Sequence, residues 1–594
     1  MSDTIISRIS QLRQWLREQQ LDAILIPHED EFLGEYLPAH NERLSWTTGF
    51  TGSAGAAVIT LETAAIFVDG RYTVQVTKQA PESIFQYCHL IEEPPLQWVL
   101  DNLHQGAKLA IDAKLHSSAW LDKAQSMLAD SVEIQVIPSN PVDLLWHDRP
   151  APQVSDVNRL DEALSGRSSS DKRKQVAEIL LQHKADSALL TQLDSICWLL
   201  NIRGMDVACF PVVLSSAVIH ADESIDFFID PSRLPTDFIQ HVGSGVRVHN
   251  PGDLDAFLQT LVDTNILVDP ATSNAWFSLC LEKAGANIIH SADPCQLPKA
   301  EKNPVEVTGM KACHIRDGAA MVKFLSWLDS EVTSGHLHDE AQLADKLEAF
   351  RREDKSLVDL SFDTISAAAD NAAMCHYNHN NQPEPGKLKL GNFYLVDSGA
   401  HYPDGTTDIT RTVAIGELSE EMKQQFTLVL KGHIALSQAR FPKGTCGHHL
   451  DAIARQHLWS HGYDYDHGTG HGVGHCLSVH EGPQRISKVT APTALVPGMV
   501  VSNEPGYYRA DAFGIRIENL ELVTEFPTQG DFSVYGFESL TRCPIDKRCI
   551  NSDLLTPTEK QWLNDYHQTV YDVISPLVEG ATLQWLTEAT SPLI

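Results

Sequence analysis

From Phe393 to Val413 the chain reads FYLVDSGAHYPDGTTDITRTV, and this stretch constrains the fold more than any other. Two apolar-leaning runs, Phe393 to Val396 and Ile409 to Val413, flank the turn signal Pro403-Asp404-Gly405, so the pattern predicts a β-hairpin. With the turn close to Asp404, Asp397 and Asp408 are expected roughly opposite each other. Directly opposed residues share a face, with Cβ atoms about 5 Å apart. Two ionised carboxylates at that range repel each other. A pair of divalent ions about 3.5–4 Å apart would relieve the repulsion. The alternative is a solvated hairpin tip, the usual setting for aspartates in turns.

Three later stretches favour the metal reading. His467-Gly-Thr-Gly-His471-Gly-Val-Gly-His475 is glycine-rich and carries three histidines. Glycine lets backbone approach a ligand, and histidine is the commonest metal ligand. Val500-Val-Ser-Asn-Glu504-Pro-Gly506 is an apolar run that ends in a carboxylate and a break. Ile515-Arg516-Ile517-Glu518 alternates, which predicts Arg516 and Glu518 on one strand face. Four carboxylates and one imidazole make a hard, oxygen-rich donor set, better suited to Mn²⁺ than a thiolate zinc site; Co²⁺, Zn²⁺ and Fe²⁺ stay open as alternatives.

In their order and context, Asp397, Asp408, His471, Glu504 and Glu518 resemble the five ligands of the M24 metallopeptidases, which have the pita-bread fold. The wording is most similar to aminopeptidase P, the Xaa-Pro aminopeptidases, through His376-Tyr377, VDSGAHYPDGTTDITRT, HGTGHGVGHCLSVHEGP, NEPGYY and GIRIENLELV. The resemblance implies two metal ions, with Asp397 on one, Asp408 and Glu518 bridging, and His471 and Glu504 completing the other. It implies that Glu504 also handles the proton of the attacking water. His376 and His480 match histidines that hold the scissile carbonyl and the tetrahedral intermediate, and His467 matches one near the proline pocket. Arg516 would orient a ligand carboxylate or substrate. His379, His448, His449, His461 and His475 are read as ordinary polar or space-filling residues. Xaa-Pro dipeptidase, a creatinase-like amidinohydrolase and a non-catalytic pita-bread binding module are the competing readings.

At 594 residues the chain is too long for one core. Forty-five basic against 78 acidic residues give a net charge of −33, which argues against nucleic acid or an anionic membrane as partner. The first twenty residues lack a signal-peptide core, and Ile6, Ile9, Leu12 and Leu16 predict an amphipathic helix instead. No apolar run is long enough to span a bilayer. Eleven scattered cysteines with no CxxC pair point to reduced thiols in a cytoplasmic protein.

Helix and strand patterns alternate from the N-terminus, so the expected class is α/β. A proline cluster, Pro138, Pro141, Pro150 and Pro152, reads as a linker. The resemblance extends to this half through PHEDEFLGEYLPAHNERLSWTTGFTGSAG, FVDGRYTVQV and LDSICWLLNIRG, which are similar to the N-terminal domains of long aminopeptidases P. It implies two creatinase-like α/β domains (1–150 and 151–302), a pita-bread catalytic domain (303–535) and a helical extension (536–594). It also implies a substrate-binding role for Arg71 and a homodimer. The two N-terminal domains look alike in outline, yet no residue-level repeat is apparent.

Overall fold

The structure, a computed structural model, describes residues 2–382 and 384–594. It divides into two compact units: residues up to 160 with 167–296, and 161–166 with 297–594.

The first unit holds two six-stranded sheets. In one, strands Gln86–His89, Ala64–Val68, Ala56–Thr60, Ala23–Pro27, Ala107–Ile111 and Val132–Val136 lie side by side in that order. In the other the order is Val246–His249, Ile225–Phe228, Ser216–His220, Ser187–Leu190, Asn265–Val268 and Asn287–His290. The two orders are the same when each sheet is counted along the chain, and so is the pattern of parallel and antiparallel pairs. The duplication therefore exists in topology, where side-chain identity need not be retained.

The first helix, Ser2–Gln19, buries Ile5, Ile9, Leu12 and Leu16. Ile6 is 48% exposed, which corrects the expected face. The steps of four, three and four from Ile5 follow the helical repeat, and Ile6 lies one residue off it. The proline cluster is more structured than a bare linker. Asn140 caps a short helix, Pro141–Leu145, in which Asp143 pairs with buried Arg43 at 2.8 Å.

The longest helix of the second unit is Pro304–Thr333. Asn303 and Glu306 form a reciprocal capping box at its start, with proline in the first turn. Strands Ile365–Ala368, Asn392–Ser398 and Ile409–Ile415 form one sheet. A six-stranded sheet follows in the order Arg440–Pro442, Val534–Ser539, Asn519–Phe526, Val500–Asn503, Gly470–Gly472 and Glu481–Ile486. Helices Glu420–Ser437 and Asp451–Trp459 bury apolar faces, including Phe426, Val429, Leu430 and Leu458. Helices Pro557–Ile574 and Gly580–Ala589 make the expected helical tail.

Candidate active site

The hairpin forms, with a register two residues from the expected one. Tyr402 pairs with Gly405 around Pro403-Asp404, and further down Asp397 faces Thr410. The same register brings Asp408 beside Gly399, diagonal to Asp397. A shift of two preserves parity, so both aspartates still share a face. The tip is not solvated. Any Cβ on Gly309 of the long helix would lie 2.3 Å from the Asp404 carbonyl oxygen, and Arg316 on the same helix pairs with Asp404.

Four elements bring the ligand candidates together. Asp408, His471 and Glu518 offer ligand atoms all within 4.8 Å of one another. His471 Nε2 lies 3.6 Å from both Asp408 Oδ2 and Glu504 Oε1. His471 Nδ1 is 2.9 Å from the Gly472 carbonyl, to which it donates, leaving Nε2 as the acceptor. The strand that carries His471 lies so close to its neighbour that a Cβ on Gly470 would meet the Ser502 carbonyl at 1.9 Å. Ser502 Oγ accepts from the His471 amide at 3.0 Å and donates to Glu504 Oε1 at 3.1 Å. Thr410 Oγ1 donates to Glu518 Oε2 at 2.7 Å.

Arg516 is buried and its Nη2 donates to Asp397 Oδ2 at 2.6 Å. Its Nη1 donates to the Tyr508 hydroxyl at 2.7 Å, and that hydroxyl lies 2.8 Å from His467 Nε2. Arg516 thus bonds Asp397, whereas Glu518 takes its hydrogen bond from Thr410. The strand Phe513–Arg516 ends before Glu518, yet the two side chains still face one side, because the Thr410 hydroxyl accepts from Arg516 Nε at 3.1 Å and donates to Glu518. The His480 ring stands 4.3 Å from that of His471. His376 occupies a half-buried turn next to Cys375. Arg71 belongs to the first unit, where it pairs with Asp69 at 2.7 Å.

The electrostatics of the cluster favour a bound cation. Burial, then Glu518, Asp397 and Glu504, push the Asp408 carboxyl well above the usual range. Burial, then Glu504 and Asp397, does the same to Glu518. Burial raises Glu504 to about 7, although Arg516 opposes the shift. Asp397 Oδ1 and Asp408 Oδ1 are buried without a hydrogen-bond partner. Such atoms are costly unless something occupies their lone pairs. The donor set and these orphaned oxygens fit divalent cations.

Thr410, Ser502 and Tyr508 were not singled out from the sequence. Thr410 was accessible to it, because it alternates with Asp408 on one strand face. Arg411 is a further omission. Its buried guanidinium donates to the carbonyls of Thr410 (2.9 Å), Glu518 (2.7 Å), Cys543 (2.7 Å) and Pro544 (3.0 Å), and to the Tyr566 hydroxyl (2.9 Å).

Comparison with known proteins gives the family. The model of metallopeptidase family M24 matches residues 308–525, and that of its C-terminal region matches 533–593. Two models of the creatinase/prolidase N-terminal domain match 8–143 and 148–306. A probable Xaa-Pro aminopeptidase P of Tuber melanosporum is 39% identical over 619 residues, covering 99% of each chain. The chain belongs to the Xaa-Pro aminopeptidase P family. Xaa-Pro aminopeptidase 1 of Dictyostelium discoideum, 36% identical, covers 99% of this chain and 97% of its own. The crystal structure of X-prolyl aminopeptidase from Caenorhabditis elegans, described as a cytosolic enzyme with a di-nuclear active site, superposes with a TM-score of 0.95. It is 34% identical and covers 99% of this chain and 100% of its own. As a metal-dependent Xaa-Pro aminopeptidase, the enzyme combines creatinase-type α/β domains with an M24 catalytic domain. Among the described residues no helix is long and apolar enough to cross a membrane.

Proposed function

We propose that the enzyme removes the N-terminal residue from peptides with proline in second position, using two divalent ions, with Mn²⁺ the leading candidate. Asp397, Asp408, His471, Glu504 and Glu518 would hold them, with Asp408 and Glu518 shared between the two. The observation that carries this reading is the convergence of Asp408, His471 and Glu518 around buried, unpartnered carboxylate oxygen. Bound ions supply a polarised scissile carbonyl and an acidified water, which a tertiary Xaa-Pro amide needs.

The chain's own residues do the rest. Glu504, at the edge of the carboxylate cluster and 3.6 Å from His471, takes the proton of the attacking water and returns it to the departing proline nitrogen. His480, beside His471, and His376 donate hydrogen bonds to the developing oxyanion. Arg516 fixes Asp397, and Thr410 fixes Glu518, so neither carboxylate has to reorganise. His467, held by Tyr508, borders the proline ring, and Arg516 and Arg71 contribute to substrate binding. We read the chain as domains 1–150, 151–302, 303–535 and 536–594, in a cytoplasmic homodimer.

The decisive experiment compares kcat/KM for Arg-Pro-Pro, Arg-Pro-Pro-Gly and Arg-Pro. The tripeptide and longer peptide are expected to be cut at least as well as the dipeptide, and an N-acetylated tripeptide poorly. Preference for Arg-Pro alone would make the enzyme a dipeptidase.

A further inference from the structure

Outside the catalytic centre, a turn in the second unit brings Cys446, His448 and His449 together, with potential ligand atoms within 4.8 Å of one another. We propose that these three residues form a separate, soft-ligand site for a thiophilic divalent ion of the Zn²⁺ class. A sulfur and two imidazoles favour such an ion, whereas the oxygen-rich catalytic set favours a harder one.

The turn is built rigidly. A Cβ on Gly447 would lie 2.0 Å from the Arg485 carbonyl oxygen, so backbone packs on backbone. Cys446 bridges to Ala494, and the Leu495 amide donates to the Thr445 carbonyl at 2.9 Å. His448 Nδ1 lies 3.0 Å from the Ala491 carbonyl. Donation there fixes the tautomer and leaves Nε2 as a ligand, the usual outer support of a metal-binding histidine. The two histidine rings stand 4.0 Å apart. His449 Nδ1 receives the Cys446 amide hydrogen at 3.1 Å, so a metal bond at that nitrogen replaces one hydrogen bond. The Cys446 thiol lies 3.3 Å from the Pro492 carbonyl and gives up its proton when it becomes a thiolate ligand. Cys446 is buried, His448 half-buried and His449 exposed, which supplies both a dry ligand and an entry path. Three protein ligands leave the fourth tetrahedral position to solvent.

The test uses the full-length enzyme with its catalytic centre filled by Mn²⁺, titrated with Co²⁺ as probe. A near-ultraviolet thiolate-to-cobalt charge-transfer band is expected, saturating at one equivalent and bleached by Zn²⁺. The catalytic ligands include no thiolate and cannot produce it. Cys446→Ser should abolish the band, and His449→Ala, at an exposed position, should shift its midpoint to higher Co²⁺. Both variants should retain Xaa-Pro cleavage with Mn²⁺, which shows that they fold. No band in the wild type overturns the proposal. So does a band undiminished in Cys446→Ser, or one indifferent to His449→Ala.

Discussion

Asp226 and Asp408 are both buried aspartates, one on a strand of the first unit and one immediately before a strand in the second. Asp226 is met by Arg247 at 2.7 Å, His220 at 2.8 Å and His249 at 2.7 Å. Burial pushes its carboxyl up, and hydrogen bonds from those three overcome this and hold it well below the usual range. Asp408 is surrounded by Glu518, Asp397 and Glu504 and is pushed the other way. Burial is common to both. The sign of the neighbours separates a closed structural cluster from a centre that is short of positive charge.

The largest expected effect breaks the comparison if it fails. Chelation should take activity to background and Mn²⁺ should restore it, while Asp226→Asn should leave metal content and activity intact. Full activity in metal-free enzyme would mean that the catalytic cluster does not depend on added cations. Next, His480→Ala and His376→Ala should keep both metals and lower kcat by about 10²–10³-fold, the typical loss for one oxyanion donor. Metal loss in either, by elemental analysis, would move that histidine into the ligand set.

A smaller effect should appear in the stability of metal-free protein. Asp226→Asn leaves Arg247 facing a neutral group and should cost about 1–3 kcal/mol. Asp408→Asn relieves like-charge repulsion and should be neutral or stabilising. Calorimetry that finds both equally destabilising would remove the distinction.

The smallest effect is on pH dependence, where the two clusters should differ in sign. Glu504 is raised to about 7, so its stabilising contribution is present below its unfolded value and lost as pH rises through about 7. Asp226 is depressed, so its contribution is present above its unfolded value and lost as pH falls. Metal-free protein should therefore lose local stability around Glu504 as pH rises from about 4.5 to about 7, and around Asp226 only in acid. Equal behaviour of the two clusters in pH-dependent hydrogen exchange would refute this.

What the sequence revealed follows the same division. Asp397, Asp408, His471, Glu504 and Glu518 stood out because unpaired ligand chemistry clusters in short, glycine-punctuated stretches. The hairpin was legible, but its partner residues were not. Loop centring cannot be read to a single residue, whereas the shared face survives a shift of two. Arg411 and the Asp226–Arg247 pair stayed hidden because their partners lie far along the chain. Arg247, for instance, is 21 residues from Asp226, and Tyr566 is 155 from Arg411. The duplicated sheets were invisible at residue level because topology tolerates wide exchange of buried apolar side chains.

Arg411 gives the tail a place in time. Its guanidinium spans the backbone of Thr410 and Glu518 on one side and Cys543, Pro544 and Tyr566 on the other. Chains are synthesised from the N-terminus and their domains fold as they emerge. All five ligand residues leave the ribosome before Tyr566 does, so a nascent chain carries the whole ligand set while the hydroxyl that braces it is still untranslated. Completion of the cradle thus waits on the tail helix, and a message truncated before Tyr566 would yield a chain with every ligand and no bracing hydroxyl.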